Sequence, residues 1–408
     1  MNDQNEQPLP EAQRERRKWS TRKKLLVAIG VLLGISCLFC GIGAVWLFQW
    51  GKPIPPLQFV DGDTTGIAVL RADSANEGYR QVIAYMAESA LRHELTTEKE
   101  HISALTKLQE PQNVQIGAFT AVASYRGHSP ENLRVFFSLT FAELPRIGRM
   151  LVQRVFDAGA ADTPRYRGAA IRPARSVMEG WTASGVKLPK DKQNWVEDLM
   201  VGAAHSCVFA GREADGVKAG LDAFAGAEPP ADSPFMQVYR RADSTRFIHG
   251  ALLNEDDVLL AAFLPLEQIP QVRADMASEL MLDPHHVKNI AFSLELLSND
   301  EAVLDLSIEG ANAEAVKQID AALRAVVRST QPGAKEFTLI DFQELDIPLT
   351  LTLQEARSEG LIHFSTIKVA GLKALIDACI GKLAEAQRES GSQTRQMQAV
   401  EDVPSDLD

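Results

Sequence analysis

Gly216–Ala223 reads GVKAGLDA and, in the second half of the chain, Gly371–Ala378 reads GLKALIDA. The Gly, Lys, Ala, Asp and Ala of the two segments coincide in register. Each copy follows an apolar stretch with the character of a strand, His205–Ala210 in one case and Leu361–Thr366 in the other. A helix bearing this pattern turns Val217, Leu221 and Phe224 inward in the first copy and Leu372, Leu375, Ile376 and Cys379 in the second, which leaves Lys218 and Lys373 facing water. A pattern that recurs once at this distance predicts an internal duplication.

Working outward, the period of the apolar residues switches repeatedly between the helical and the strand value. Ile67–Leu70 reads as a strand, and a helix capped near Asp73 or Ser74 lines up Tyr79, Val82, Ile83, Met86, Ala90 and Leu91. A second helix starts at Thr97, with Glu100 at the capping-box spacing and Ile102, Leu105 and Leu108 as its stripe. Val114–Val122 and Leu133–Phe141 alternate as strands around the His128-Ser129-Pro130 turn, and a helix over Leu144–Phe156 follows. The second half repeats the order: a strand at Phe247–Leu253, helical stretches over Val258–Leu280, and strands at Ile290–Leu296 and Val303–Ile308 around Ser298-Asn299-Asp300. It then adds a helix with Val316, Ile319, Leu323, Val326 and Val327 on one face. The expected fold class is therefore α+β, with two related lobes at 57–227 and 228–387, each a mainly antiparallel sheet with helices on one face.

Ahead of the lobes, Leu25–Gly51 holds no charged residue, and Leu25–Phe48 (LLVAIGVLLGISCLFCGIGAVWLF) is long enough as a helix, about 36 Å, to cross a hydrocarbon core of about 30 Å. Arg14, Arg16, Arg17, Lys18, Arg22, Lys23 and Lys24 crowd one side of it, which predicts a cytoplasmic N-terminus and a single-pass anchor in the inner (plasma) membrane, with the bulk of the chain extracytoplasmic. The layout is then a basic tail at 1–24, a transmembrane helix at 25–50, a Pro-rich linker at 51–56, the two lobes, and a polar tail at 388–408 that reads as disordered. Gly30, Gly34, Cys37, Gly41 and Ala44 fall on one helix face, and Gly30/Gly34 is itself a GxxxG, so this stripe is expected to pack against another helix or a second copy. A cleaved signal peptide cut before Ala44 is the competing reading; the length of the apolar run disfavours it.

Charge narrows the partners. Net charge is −12 while the first 24 residues carry +3, so the remainder is near −15, a balance that disfavours nucleic acid and anionic bilayer surfaces. Only Cys207 and Cys379 lie outside the apolar run, which excludes a disulfide framework. Asp61–Gly66 begins like a calcium loop, but Ala72 stands where the bidentate Glu is required. Asp283-Pro284-His285-His286 and His205-Ser206-Cys207 supply too few ligands for a metal, and Ser184–Lys187 matches SxxK without its companion motifs. Glu255-Asp256-Asp257 reads as helix N-terminal charge. With no P-loop and no GxGxxG after a strand, no cofactor is expected.

The segment Val208–Gly226 (VFAGREADGVKAGLDAFAG), followed by Ala231–Leu253 (ADSPFMQVYRRADSTRFIHGALL), resembles a pattern found in uncharacterised membrane-anchored bacterial proteins. The resemblance implies an anchored extracytoplasmic domain and assigns no functional residue. Three functions are compatible with these readings: a non-enzymatic binding or assembly protein with an unidentified protein partner, an extracytoplasmic carrier of an apolar ligand, and a cell-envelope hydrolase. The first requires least that the sequence does not supply.

Overall fold

The computed structural model describes residues 55–385, apart from 74, 96–98, 115–118, 142–152, 155, 158–159, 161, 178–198, 205–206, 227–230, 256–257, 262–265, 332–348 and 383. The expected membrane span, its Gly30, Gly34, Cys37, Gly41 and Ala44 stripe and both polar tails lie outside these residues. No helix among the described residues is long and apolar enough to cross a membrane.

In chain order the first half holds β1 (Thr64–Ala72), α1 (Glu77–Arg92), α2 (Lys99–Leu108), β2 (Phe119–Arg126), β3 (Arg134–Phe141), the small hairpin β4 (Arg165–Tyr166) and β5 (Ala169–Ala170), β6 (Arg172–Pro173), β7 (Met200–Ala204), β8 (Cys207–Gly211) and α3 (Ala214–Ala225). The second half holds α4 (Pro234–Tyr239), β9 (Ile248–Leu253), α5 (Val258–Ala261), α6 (Ile269–Glu279), β10 (Val287–Leu296), β11 (Glu301–Gly310), α7 (Ala313–Ser329), β12 (Thr350–Glu359), β13 (Ile362–Ala370) and a last helix, α8, at 372–382. The fold is α+β, built on one large antiparallel sheet of eleven strands in the order β12-β13-β11-β10-β9-β1-β2-β3-β8-β7-β6.

Counted outward from the central β1/β9 pair, the strands run β1-β2-β3-β8-β7 on one side and β9-β10-β11-β13-β12 on the other, so the same chain order recurs in each direction. The halves meet edge to edge, with Gly66 to Leu70 opposite Leu252 to Ile248. An antiparallel seam relates them by a two-fold perpendicular to the sheet, which keeps each face on its own side.

Side chains alternate across this sheet, and the two faces are covered differently. On the front of the first half, Ile67, Val69, Val122, Phe136 and Phe209 meet Val217 and Leu221 of α3, Phe59 of the entering chain, and Phe235 and Tyr239 of α4. Phe209 lies at the centre of this layer, with ring centroids 6.0 Å from Phe59, 6.5 Å from Phe136 and 6.1 Å from Phe224. On the back of the second half, Tyr79, Val82 and Ile83 of α1 cover Leu70, Leu294, Leu296, Ala302 and Val369. Ile319, Ala322 and Leu323 of α7 cover Ile290, Leu306 and Ile308 nearby.

Several expectations need correction. The lobes do not own separate sheets, and α1, first-half by sequence, buries its apolar face on second-half strands. The two GxKAxxDA helices do not occupy equivalent places: α3 lies on the front, over Phe136 and Phe209, while α8 lies on the back, where Leu372 joins Val369 and Tyr79. The turn before α8 has no counterpart before α3. Gly371, at φ +95°, turns the chain sharply, and Asp300 accepts from the amides of Gly371, Leu372 and Lys373. Cys379 is exposed and Ile380 is the buried residue of that turn. The first helix is capped by Asn76 rather than by Asp73 or Ser74. Of the expected Val114–Val122 strand, Phe119 onward belongs to β2, while 115–118 lie outside the described residues and Pro111–Asn113 ahead of it forms a 3-10 turn. Met86 and Ile102, expected on inward stripes, are exposed. The expected 144–156 helix lies almost wholly outside the described residues.

Candidate interaction surface

The alternation that buries the back of the second half places its other side chains on the front. No helix of the described residues covers them beyond α4 and the turn that follows it. Cross-strand partners across β10, β11, β13 and β12 form the row Ser293, Asp305, Thr366, Glu355 and, beside it, the row Ala291, Ser307, Phe364, Arg357. A third row runs Asn289, Glu309, Ile362, Glu359. Polar and charged side chains thus line four strands, with half-buried Phe364 among them. Arg357 stacks its guanidinium over that ring at 5.1 Å, a cation–π contact. Asp305, Glu355, Arg357, Phe364 and Thr366 border a shallow hollow of about 190 Å³.

Charges on this face are paired in chains. Arg246 bridges Asp243 at 3.1 Å, Glu295, and Asp305 at 3.7 Å, while Thr366 donates to Asp305 at 2.7 Å. Arg241 donates to Glu309 at 2.7 Å and to Asn289 at 3.0 Å, and Asn289 in turn donates to Glu309. Burial raises the Glu309 carboxyl, but the hydrogen bonds from Arg241 and Asn289 outweigh it and hold the pKa below its ordinary value. Asp243 is held low by the hydroxyl and amide of Thr245 and, after these, by Arg246. Lys368 reaches Glu301 at 2.6 Å across the strands. The outcome is a surface of mixed sign whose charges are largely paired across neighbouring strands.

The sheet's two edges differ. β6 is two residues long and ends in Pro173, which has no N–H to offer a further strand. β12 is ten residues long and mostly exposed. Its first stretch is closed off by α7, since Thr330 Oγ1 accepts from Leu351 N at 3.0 Å and Gln331 Nε2 donates to Leu351 O at 2.7 Å. A bulge at Leu353/Glu355 follows. Glu355, Ala356, Arg357, Ser358 and Glu359 then continue to the two-residue turn at Gly360 (φ +61°) and Leu361.

The motif aspartates have a role that sequence reasoning missed. Asp377 of α8 accepts from Tyr85 at 2.6 Å, from Ser89, and from both Nη atoms of Arg92 at 3.3 and 3.1 Å, all on α1. Asp222 of α3 accepts from Tyr166 at 2.9 and 2.8 Å and from Arg167 in the β4/β5 turn. In each copy a tyrosine hydroxyl and an arginine tie the helix to a neighbouring element. The shared Asp was the available signal, but its partners are not repeated in the sequence. Burial raises Asp377, and the bonds from Ser89 and Tyr85 with the charge of Arg92 more than reverse this, leaving it below the ordinary carboxylate value.

The other sequence candidates resolve into local structure. Asp61 caps its own turn, accepting from Asp63 N and Thr64 Oγ1, and pairs with Arg126. Asp283 caps a 3-10 turn, and His286 contacts Gln318 of α7 at 3.2 Å. Cys207 is buried on the front, its sulfur 3.6 Å from Thr140 Oγ1, and Cys379 lies exposed on the back, so the two are not bridged to each other. Glu255 pairs with His128 at 2.6 Å. His205, Ser206 and Ser184–Lys187 lie outside the described residues. Among the described residues no group of three or more His, Cys, Asp or Glu side chains is placed to hold a metal ion.

One juxtaposition resembles a nucleophile relay. Ser358 Oγ is 3.3 Å from His363 Nδ1, and Asp320 Oδ1 is 3.8 Å from His363 Nε2. The second distance exceeds a hydrogen bond, Asp320 instead accepts from Arg324 Nε, and the ring is 2% exposed. Burial, above all, holds His363 below its ordinary pKa, so it is a neutral packed ring beneath α7.

No family model, curated protein or solved structure matches this chain.

Proposed function

We propose that this chain is a membrane-tethered, extracytoplasmic binding or assembly protein of the inner membrane, anchored by residues 25–50 with its N-terminus in the cytoplasm and acting without a cofactor. It belongs, on this reading, with the uncharacterised membrane-anchored bacterial proteins whose pattern Val208–Leu253 resembles, and its two five-stranded arrays descend from one duplicated unit. The recurring strand order supports duplication; the opposite placement of α3 and α8 marks how far the copies have diverged.

The observation that best supports a binding role is the front of β13 and β12 with the adjoining Asp305 of β11, which no helix among the described residues covers and which is bounded by a long edge strand. It is a broad ordered surface with charges of both signs around a half-buried aromatic ring. The acidic balance outside the first 24 residues speaks against nucleic acid as the partner.

The test is alkaline extraction and protease accessibility of the full-length chain in bacterial cells, followed by photo-crosslinking from positions 305 and 364. Retention in the membrane, protection of the 57–387 region in intact cells and a discrete crosslinked protein species are expected. Release by alkali, or digestion from the cytoplasmic side only, overturns the anchoring and its orientation. A crosslinking pattern without any discrete species overturns the binding surface.

A further inference from the structure

We propose that β12 pairs antiparallel with β12 of a second copy of this chain, about a two-fold axis at Ala356, joining the two sheets into one. The proposal deepens the binding role above by naming the partner as a second copy.

Some backbone groups of β12 are already taken and others are not. The two-residue turn makes Glu359 and Ile362 the last hydrogen-bonded pair of the β12/β13 hairpin, so Glu359, Arg357 and Glu355 bond inward to β13. Ala356 and Ser358 therefore direct N–H and C=O away from the sheet. The same alternation beyond the bulge turns Leu351 outward, and there the structure shows its amide and carbonyl taken up by Thr330 and Gln331. Among the described residues nothing takes up the outward backbone groups of the stretch from the bulge to the turn.

Charge then selects the occupant and the register. Centring an antiparallel pair on Ala356 sets Glu355 opposite Arg357 of the partner and Arg357 opposite Glu355, both on the front face. These positions form a non-hydrogen-bonded pair, where opposed side chains come closest. Centring on Glu355 or on Arg357 sets like charges face to face. Centring on Ser358 matches Arg357 with Glu359 but leaves only the turn beyond to pair. Ala356 at the axis adds no side-chain bulk.

Geometry agrees with a tether. A two-fold perpendicular to the sheet keeps like faces on one side, and the chain enters each copy on the front, where Phe59 packs against Phe209 and Phe224. Both anchors then lead to a single bilayer. An edge-strand contact alone is small, and confinement to a membrane raises the effective concentration at which it forms.

The experiment uses the full-length chain in membranes, with Cys37, Cys40 and Cys379 replaced by Ser, buried Cys207 retained, and Ala356→Cys introduced. A hydrogen-bonded antiparallel pair holds its Cα atoms about 5.5 Å apart, within disulfide reach. Mild oxidation is expected to give a disulfide-linked homodimer. Glu355→Arg or Arg357→Glu added singly should lower the linked fraction about fivefold or more, since each opposes like charges twice. The double exchange Glu355→Arg with Arg357→Glu should restore it. Hydrogen exchange of β13 checks that each variant retains the hairpin. No homodimer from a chain with intact β13 protection, a link to a different protein only, or linkage indifferent to the charge changes would each overturn the proposal. If the chain proves not to be anchored, the same oxidation on the soluble fraction still decides the pairing, so the two readings fail separately.

Discussion

Asp377→Ala should release α8 from the back of the sheet. Ser89, fully buried, and Tyr85, at 2.6 Å, donate to this carboxylate, and such bonds to an ionised acceptor contribute about 1.5–3 kcal/mol each. Asp377 is 28% exposed, so water replaces part of what is lost; Arg92 is 48% exposed and adds little. The sum is about 3 kcal/mol, equivalent to about a 100-fold drop in hydrogen-exchange protection across 372–382. Asp377→Asn keeps an acceptor for both hydroxyls and should cost only about 1 kcal/mol. Native-state exchange of the full chain, read by mass spectrometry, separates this local opening from global unfolding. Equal protection in wild type and Asp377→Ala, or equal loss in the Ala and Asn variants, would refute the docking argument.

Phe209→Ala removes a fully buried ring from between Phe59, Phe136 and Phe224 and should destabilise the first half by about 3–5 kcal/mol, measured by denaturant unfolding. His249 and His363 are both held low chiefly by burial, so the unfolded chain binds more protons than the folded one just below the ordinary histidine value of about 6.5. Stability should be complete above that pH and fall as the pH is lowered through it, and His363→Gln should flatten part of the slope in thermal melts between pH 7.5 and 5.5. Asp243, Glu309 and Asp377, also held low, should keep their contribution until the pH falls below about 4. In the membrane span, Gly30→Leu with Gly34→Leu should abolish self-association in a membrane reporter assay; unchanged association removes that face as a contact.

Strands buried on one face and walled by recognisable turns were legible from sequence. β3, β9, β10 and β11 fall within a residue or a few of the alternation that announced them, and α7 carries the stripe Val316, Ile319, Leu323 as read. β12 was not legible, because TLTLQEARSE lies at the open edge where no packing enforces alternation. β7 was missed for the opposite reason: MVGAA is buried, but its small residues carry no strand preference. The single sheet was hidden because pairing β1 with β9 depends on a contact between distant segments, which no local period encodes. The polar front followed from the same alternation that buries the back, yet which face stays open depends on where α3, α7 and α8 settle. Gly371 decides that for α8, and a conserved-looking GxKAxxDA pattern says nothing about the turn before it.

The β1/β9 seam also fixes the order in which the chain can become a stable body. β1 is central in the finished sheet, but its second neighbour emerges from the ribosome only with Ile248–Leu253, and the strands that cover Tyr79 and Val82 come later still. Such a high contact order delays closure and leaves a bare ladder and an apolar helix face displayed throughout synthesis of the first half. A fragment ended between the halves retains both exposures permanently. The unpaired edge of β1 and the bare face of α1 are therefore closed only when the second half of the chain is in place.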